Sequence, residues 1–228
     1  MAVEAVVFDV GETLVDETGM WERAADSVGV PRFTVMGVLG GLAARGEHHS
    51  RVWEILGVEQ PAATWELDDF YADALPCVER LRAAGYRLAA SGNTPAFVEA
   101  QLRNRFERVG SSASWGVDKP APEFFRRVVE LVGVPAEKIA YVGDRVDNDV
   151  VPALGAGMVA VHIRRGPWGL LHDPPAAAIR IRSLEELPAA RRGPTPSGPA
   201  SATSPTRRRS SSCMTLPARW STTPSWSA

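Results

Sequence analysis

Cysteine is nearly absent from this chain: Cys77 and Cys213 are the only two in 228 residues. Two cysteines build no disulfide framework, and neither has a partner at metal-ligand spacing. Long apolar runs are missing too, none approaching the ~20 residues a membrane span requires. Near the N-terminus, Glu4 and Asp9 interrupt any apolar core a secretory signal would need. A reducing cytoplasm is therefore the expected location, with no membrane partner. Acidic residues are wholly missing from residues 191–228, which carry Arg191, Arg192, Arg207, Arg208, Arg209 and Arg219. That segment is rich in Ser, Pro and Thr without apolar periodicity, so a disordered tail is expected there. Its run Arg207-Arg208-Arg209 reads as a solvated basic stretch rather than a nucleic-acid contact. Without the tail, 19 basic residues face 27 acidic ones, a net charge of −8.

What is present suits a soluble globular protein. Hydrophobic residues make up 45% and charged residues 23%, and the length allows one ordinary domain with a small accessory one. The chain is organised around Ala5-Val6-Val7-Phe8-Asp9-Val10-Gly11-Glu12-Thr13-Leu14. Ala5 to Phe8 fits a buried parallel strand. The carboxylate just past its end would point into the crevice where open α/β sheets bind ligands.

Helical spacing follows up to about Ala74 (Trp21, Ala24, Ala25, Val28; then Val52, Ile55, Leu56), broken at Gly29-Val30-Pro31 and Gly57-Val58. This predicts a helical insertion over 16–74. Its pair His48-His49 reads as a surface helix end, since no further ligand stands at metal spacing. Strands are then predicted at 86–90, 139–142 and 159–163. Helices are expected from Pro76 to Ala84, from 96 to 105, and from Pro122 up to Gly133, with another from Val150 to Gly155 or Gly157. Gly110 to Gly116 reads as a polar stretch, and Ser183 to Leu187 as a short helix with a Ser-x-x-Glu capping box. Alternation of this kind makes a three-layer, doubly wound parallel sheet, with core segments 1–15 and 75–190. Asp9, Ser91 to Thr94 and Asp144 all follow strands, so they share one rim. Arg164 and Arg165 follow the last predicted strand and are placed on that rim too, as candidate contacts to an anion or as part of a solvated loop.

These motifs, in this order, resemble the haloacid dehalogenase-like (HAD) hydrolases over residues 1 to about 190. The stretch Phe8-Asp9-Val10-Gly11-Glu12-Thr13-Leu14 is similar to the family's first motif. Lys119-Pro120-Ala121-Pro122-Glu123 looks like its third, and Val142-Gly143-Asp144 with Asn148-Asp149 like its fourth. Ala156-Gly157-Met158 stands where the family commonly has Ala-Gly-Met, and the insertion resembles a helical cap.

The resemblance implies a hydrolase acting through an aspartyl intermediate on a small phosphorylated metabolite, with Mg²⁺ as cofactor. Asp9 would be the nucleophile, since a carboxylate splits one hard displacement into two easier ones. Lys119 would hold Asp9 ionised, and Asp9, Asp144, Asp149 and the carbonyl of Gly11 would serve the metal. Ser91, Gly92 and Asn93 would bind the substrate phosphate.

Two departures stand out. Family phosphatases carry a second Asp two residues after the nucleophile, as the acid/base; here that residue is Gly11. Glu12 is one residue away, in a register that ordinarily misaims a carboxylate, and Asp16 and Glu17 are the other candidates to replace it. In the second motif the order is Ser91-Gly92-Asn93 where the family has Ser or Thr directly before Asn. Two other readings follow: a catalytically silent ligand- or partner-binding member, or a C–halogen hydrolase, although that branch usually has an aromatic residue where Gly11 stands. Substrate identity and oligomeric state are not legible in the sequence.

Overall fold

A computed structural model describes residues 2–62, 66 and 69–187; the expected tail over 191–228 lies outside these. Six parallel strands form one sheet in the order β3-β2-β1-β4-β5-β6. They are β1 (Ala5–Phe8), β2 (Arg87–Gly92), β3 (Arg108–Ser111), β4 (Ile139–Gly143), β5 (Val159–Ile163) and β6 (Ile179–Ile181). The central strand β1 is fully buried and pairs with β2 on one side and β4 on the other, Phe8 lying opposite Ala90 and Val142. The order reverses at β1, which places the topological switch point, and hence the crevice, beside Asp9.

The alternating side chains of each buried strand feed two separate cores. On one face Val6, Phe8, Val142 and Val161 pack with Val78 and Leu81 of α4 (Ala74–Ala83) and Val98 and Leu102 of α5 (Ala96–Leu102). On the other, Val7, Ala89 and Tyr141 pack with Phe124, Phe125 and Val128 of α7 (Pro122–Val132). Pro122 at its first turn and Gly133 at φ 67° past its last suit α7's two ends.

Between β1 and α4 the chain forms α1 (Thr18–Ser27), α2 (Arg32–Ala44) and α3 (Arg51–Leu56). Ala25, Val35, Leu39, Leu42 and Val52 build a third core belonging to these helices. The chain leaves and returns at one point, where Val15 bridges Phe70 antiparallel. Asp16 N donates to Asp69 O at 2.8 Å, and Tyr71 N to Leu14 O at 2.9 Å. The third core also takes in Trp168 from α9 (Gly166–Leu171), the helix after β5, and His172 Nε2 donates to Ala43 O at 2.8 Å.

Several local expectations are corrected. The polar stretch 110–116 holds the end of β3 and the short helix α6 (Ser112–Trp115); Gly110 lies under the Trp115 ring, where a Cβ would collide with it. β6, three residues long, and α9 lack sequence signals strong enough to read. The helix predicted from Val150 is α8 (Val151–Gly155), entered through a wide π turn over Val146–Val150. The capped segment near 183 is a 3-10 turn over Leu184–Glu186, and its Ser183–Glu186 capping box is present.

Candidate active site

Four buried charged side chains converge where β1, β4 and two loops end. Asp9 follows β1, Asp144 follows β4, Asp149 comes from the π turn and Lys119 from the loop before α7. Lys119 Nζ donates to Asp9 Oδ1 and to Asp149 Oδ1, at 2.5 Å in each case. Carboxylate oxygens of Asp9, Asp144 and Asp149 lie within 4.8 Å of one another. Backbone shape makes this crowding possible. A Cβ on Gly92 would come 2.7 Å from Asp9 Oδ1, and one on Gly143 would overlap the Asp149 carboxyl. Both glycines are there because the neighbouring carboxylate needs the space.

Second contacts hold the four groups in place. Arg145 N donates to Asp149 Oδ2 at 3.0 Å, and His162 Nε2 donates to Asp144 O at 2.8 Å. Asn93 clamps the backbone of Lys119 from both sides, receiving its N–H at 2.7 Å and donating to its carbonyl at 3.0 Å. Burial works to lower the Lys119 pKa, but Asp149 and Asp9 more than offset it, raise it well above its ordinary value and hold the ammonium charged. Burial, with repulsion from Asp149 and Asp9, pushes Asp144 well above the usual carboxylate range. Asp149 is raised by burial and by Asp9. With all three carboxylates ionised they outweigh the one ammonium by two negative charges, an excess that burial disfavours and that a hard divalent cation matches in charge and ligand type.

The crevice above has a volume of about 800 Å³ and reaches from Asp9 to the third core. Its floor includes Asp9, Gly11, Asn93, Thr94, Lys119 and Asp144; Trp21, Met36, His49 and Trp168 face them from the helical side. Ser91 is not on this wall: it is fully buried, its hydroxyl finds no partner and its carbonyl accepts from Tyr141 Oη at 2.9 Å. Gly92 does not line it either, and the hydroxyl on the wall belongs to Thr94. Asn93 lines the crevice, but its amide is engaged with Lys119.

His48 and His49 stand at the N-terminal end of α3, their carbonyls accepting from Arg51 N and Val52 N; His48 is exposed as expected, while His49 is half-buried and turned inward. They sit in the turn before α3, and the His49 ring meets Trp21 and Trp168 edge-on. Burial, His48 and Arg145 push His49 down to about 4, so it is neutral near pH 7. Arg165 donates to Thr13 O at 2.9 Å and pairs with Asp73, and Arg164 donates to Leu170 O at 3.1 Å. Both are used within the protein rather than turned to the crevice.

Glu12 and Glu17 complete the wall. Glu12 has a left-handed φ of 51°, uncommon for a residue with a side chain. The turn carries its carboxyl toward Gly166, where Oε2 accepts from Tyr71 Oη at 2.6 Å and Oε1 from Glu17 N at 3.1 Å. Burial, and then the charges of Glu12 and Asp9, push the Glu17 carboxyl up to about 8. Sequence reasoning named Glu17 among several candidates without singling it out, and left Thr94 and Trp168 without a role in the crevice.

A parallel sheet with a buried acidic cluster at its switch point defines an α/β protein with a centre suited to a divalent cation. The chain belongs to the haloacid dehalogenase-like hydrolase family, whose model matches residues 3–157. It is 36% identical over 104 residues to a glyceraldehyde 3-phosphate phosphatase of Methanopyrus kandleri, covering 43% of this chain and 45% of that one. It is 37% identical over 92 residues to a phosphoserine phosphatase of Thermus thermophilus, covering 40% and 36%. The matches thus span less than half the length of these curated relatives. Among solved structures, an HAD phosphatase from Thermococcus onnurineus aligns with TM-score 0.54 at 22% identity, over 81% of this chain and 96% of that one. A dehalogenase aligns with TM-score 0.61 at 21% identity, over 81% and 95%. At these identities the solved structures establish the fold. Among the described residues no helix is long and apolar enough to cross a membrane.

Proposed function

We propose that the protein is a Mg²⁺-dependent phosphatase that transfers the phosphoryl group of a small metabolite to Asp9 and then to water. The observation that carries this reading is the bridge from Lys119 Nζ to Asp9 and Asp149, beside Asp144, on the floor of an open crevice. Lys119 occupies Asp9 Oδ1, which leaves Oδ2 as the nucleophilic oxygen and fixes its direction. The ammonium also opposes negative charge gathering on the phosphoryl oxygens. Asp9, Asp144, Asp149 and the Gly11 carbonyl would hold the cation, which supplies charge neutralisation for an anionic substrate when bound. The wall formed by α1–α3 would act as the cap that selects the rest of the substrate, with Asn93 and Thr94 flanking the phosphate. Curated relatives named as phosphatases of glyceraldehyde 3-phosphate and phosphoserine support the substrate class. Three clustered carboxylates suit a cation and a phosphate better than the expulsion of a halide anion beside them. The test is release of inorganic phosphate from a panel of sugar, amino-acid and glycerol phosphates. Turnover that needs Mg²⁺ and is lost in Asp9→Asn is expected. Intact Mg²⁺ binding with no turnover on any ester would instead favour a silent binding protein.

A further inference from the structure

We infer that Glu17 is the proton-transfer residue of this centre, its carboxyl filling from the start of the helical insertion the space that Gly11 leaves open. The inference rests on the phosphatase reading and adds a catalytic residue to it. A Cβ on Gly11 would overlap Glu17 Oε1 and lie 2.8 Å from Glu17 Cδ. The acid group therefore sits where a side chain two residues beyond Asp9 would be, and Glu17, Gly11 and Asp9 line the same crevice. Glycine at 11 is what admits it, because any larger residue would evict the carboxyl.

Glu12, the nearer acid in sequence, is spoken for. Tyr71 Oη and Glu17 N hold its two oxygens, and its stem lies against Gly166. Among the described residues the Glu17 carboxyl accepts one long hydrogen bond, from Trp21 Nε1 at 3.4 Å to Oε2, so Oε1 keeps its capacity for a ligand. The indole steadies the carboxyl without occupying it.

The chemistry balances in two steps. An Asp9 oxygen bonds to phosphorus while the bond from phosphorus to the ester oxygen breaks. The Glu17 carboxyl proton passes to that oxygen, so an alcohol leaves. Water oxygen then bonds to phosphorus, one water proton returns to the Glu17 carboxylate, and the bond from Asp9 to phosphorus breaks to release phosphate and the Asp9 carboxylate. A positioned acid of this kind is typically worth ~10²–10⁴ in rate.

The experiment compares glycerol 2-phosphate, whose alcohol leaves poorly without a proton, with 4-nitrophenyl phosphate, whose phenolate leaves readily. It uses the full chain with Mg²⁺. Glu17→Gln keeps the shape and is expected to slow phosphorylation by glycerol 2-phosphate about 10²-fold or more, and by 4-nitrophenyl phosphate less than about tenfold. Phosphorylated Asp9 should then accumulate and be captured by hydroxylamine, because the second step has lost its base. Gly11→Asp alone should be poorly active through the clash, whereas Gly11→Asp with Glu17→Gly should regain at least about tenfold over Glu17→Gln on glycerol 2-phosphate. Melting temperatures of all variants separate misfolding from lost chemistry. Equal slowing of the phosphorylation step by both esters, or no gain in the double variant while it remains folded, overturns the assignment of Glu17 and leaves the phosphatase reading standing. An unaltered protein that cleaves neither ester nor any member of the wider panel overturns both.

Discussion

On the sheet side of the crevice, Lys119 joins Asp9 and Asp149 at 2.5 Å, and every member of the cluster is buried. On the helical side, Trp21, Trp53, His49 and Trp168 meet through ring contacts 5.8–6.3 Å between centroids, and among the described residues the Glu17 carboxyl accepts one 3.4 Å hydrogen bond. One wall is set by charges that cannot all be satisfied without one another. The other is set by apolar packing, which is non-directional and tolerates small displacements. On the proposed phosphatase reading, a phosphoryl group needs the first kind of wall, because the reacting atoms allow little positional error. The varied remainder of a substrate can be accommodated by the second.

The sharpest way to test the contrast is to remove one charge from the rigid wall. Asp9→Asn should lower kcat by about 10⁴-fold or more, as loss of a nucleophile does, with a melting temperature close to that of the parent, as read by a coupled phosphate assay and calorimetry. Lys119→Met leaves the carboxylates facing each other without their ammonium. Breaking a buried pair this way is expected to cost about 3–5 kcal/mol, and saturating Mg²⁺ should recover part of it, a dependence visible in thermal melts with and without chelator. Trp168→Ala attacks the packed wall and should cost about 3–5 kcal/mol. It should raise KM more than it lowers kcat, since the reacting atoms stay in register.

The smallest effect is expected away from the crevice. Asp73 accepts from Ser183 Oγ at 2.7 Å and Leu184 N at 2.9 Å and pairs with Arg165. Burial works to raise its carboxyl, but Ser183, Arg165 and Leu184 together bring it below the ordinary 3.8. A lowered folded pKa gives stability that is present above the unfolded value and lost as pH falls through the folded one. Asp73→Asn should therefore cost about 1–2 kcal/mol at pH 7, with the gap from the parent closing below about pH 4.

The parts of this molecule that were legible in the sequence share a feature: each is local or repeats a strong pattern. β1, β4 and β5 are apolar runs of four or five residues ended by a polar residue, and Pro122 and Gly133 frame α7. The convergence of Asp9 and Asp144 could be anticipated because a parallel sheet brings every strand end to one rim, whereas Lys119 and Asp149 follow no strand directly and were joined to them by the family resemblance alone. β3, with Gly110 and Ser111 among its four residues, and the three-residue β6 carry too little pattern to read, and both are edge strands. Ser91 misled because one position along a strand is the difference between facing the crevice and facing the core. Glu17 was undecidable in one dimension, since its carboxyl comes beside Gly11 across a turn in which Glu12 is left-handed, a conformation the sequence does not announce.

The single antiparallel bridge between Val15 and Phe70 makes the insertion a removable part. Chain exits and re-enters the sheet domain through neighbouring backbone hydrogen bonds, so a different segment could be spliced between them without altering any strand of the sheet. Such a transplant would not be self-contained. The indole of Trp168 and the imidazole of His172 reach into the insertion from beyond β5, and a donor module would have to bring its own version of that second loop or be left with a hole where the indole had been.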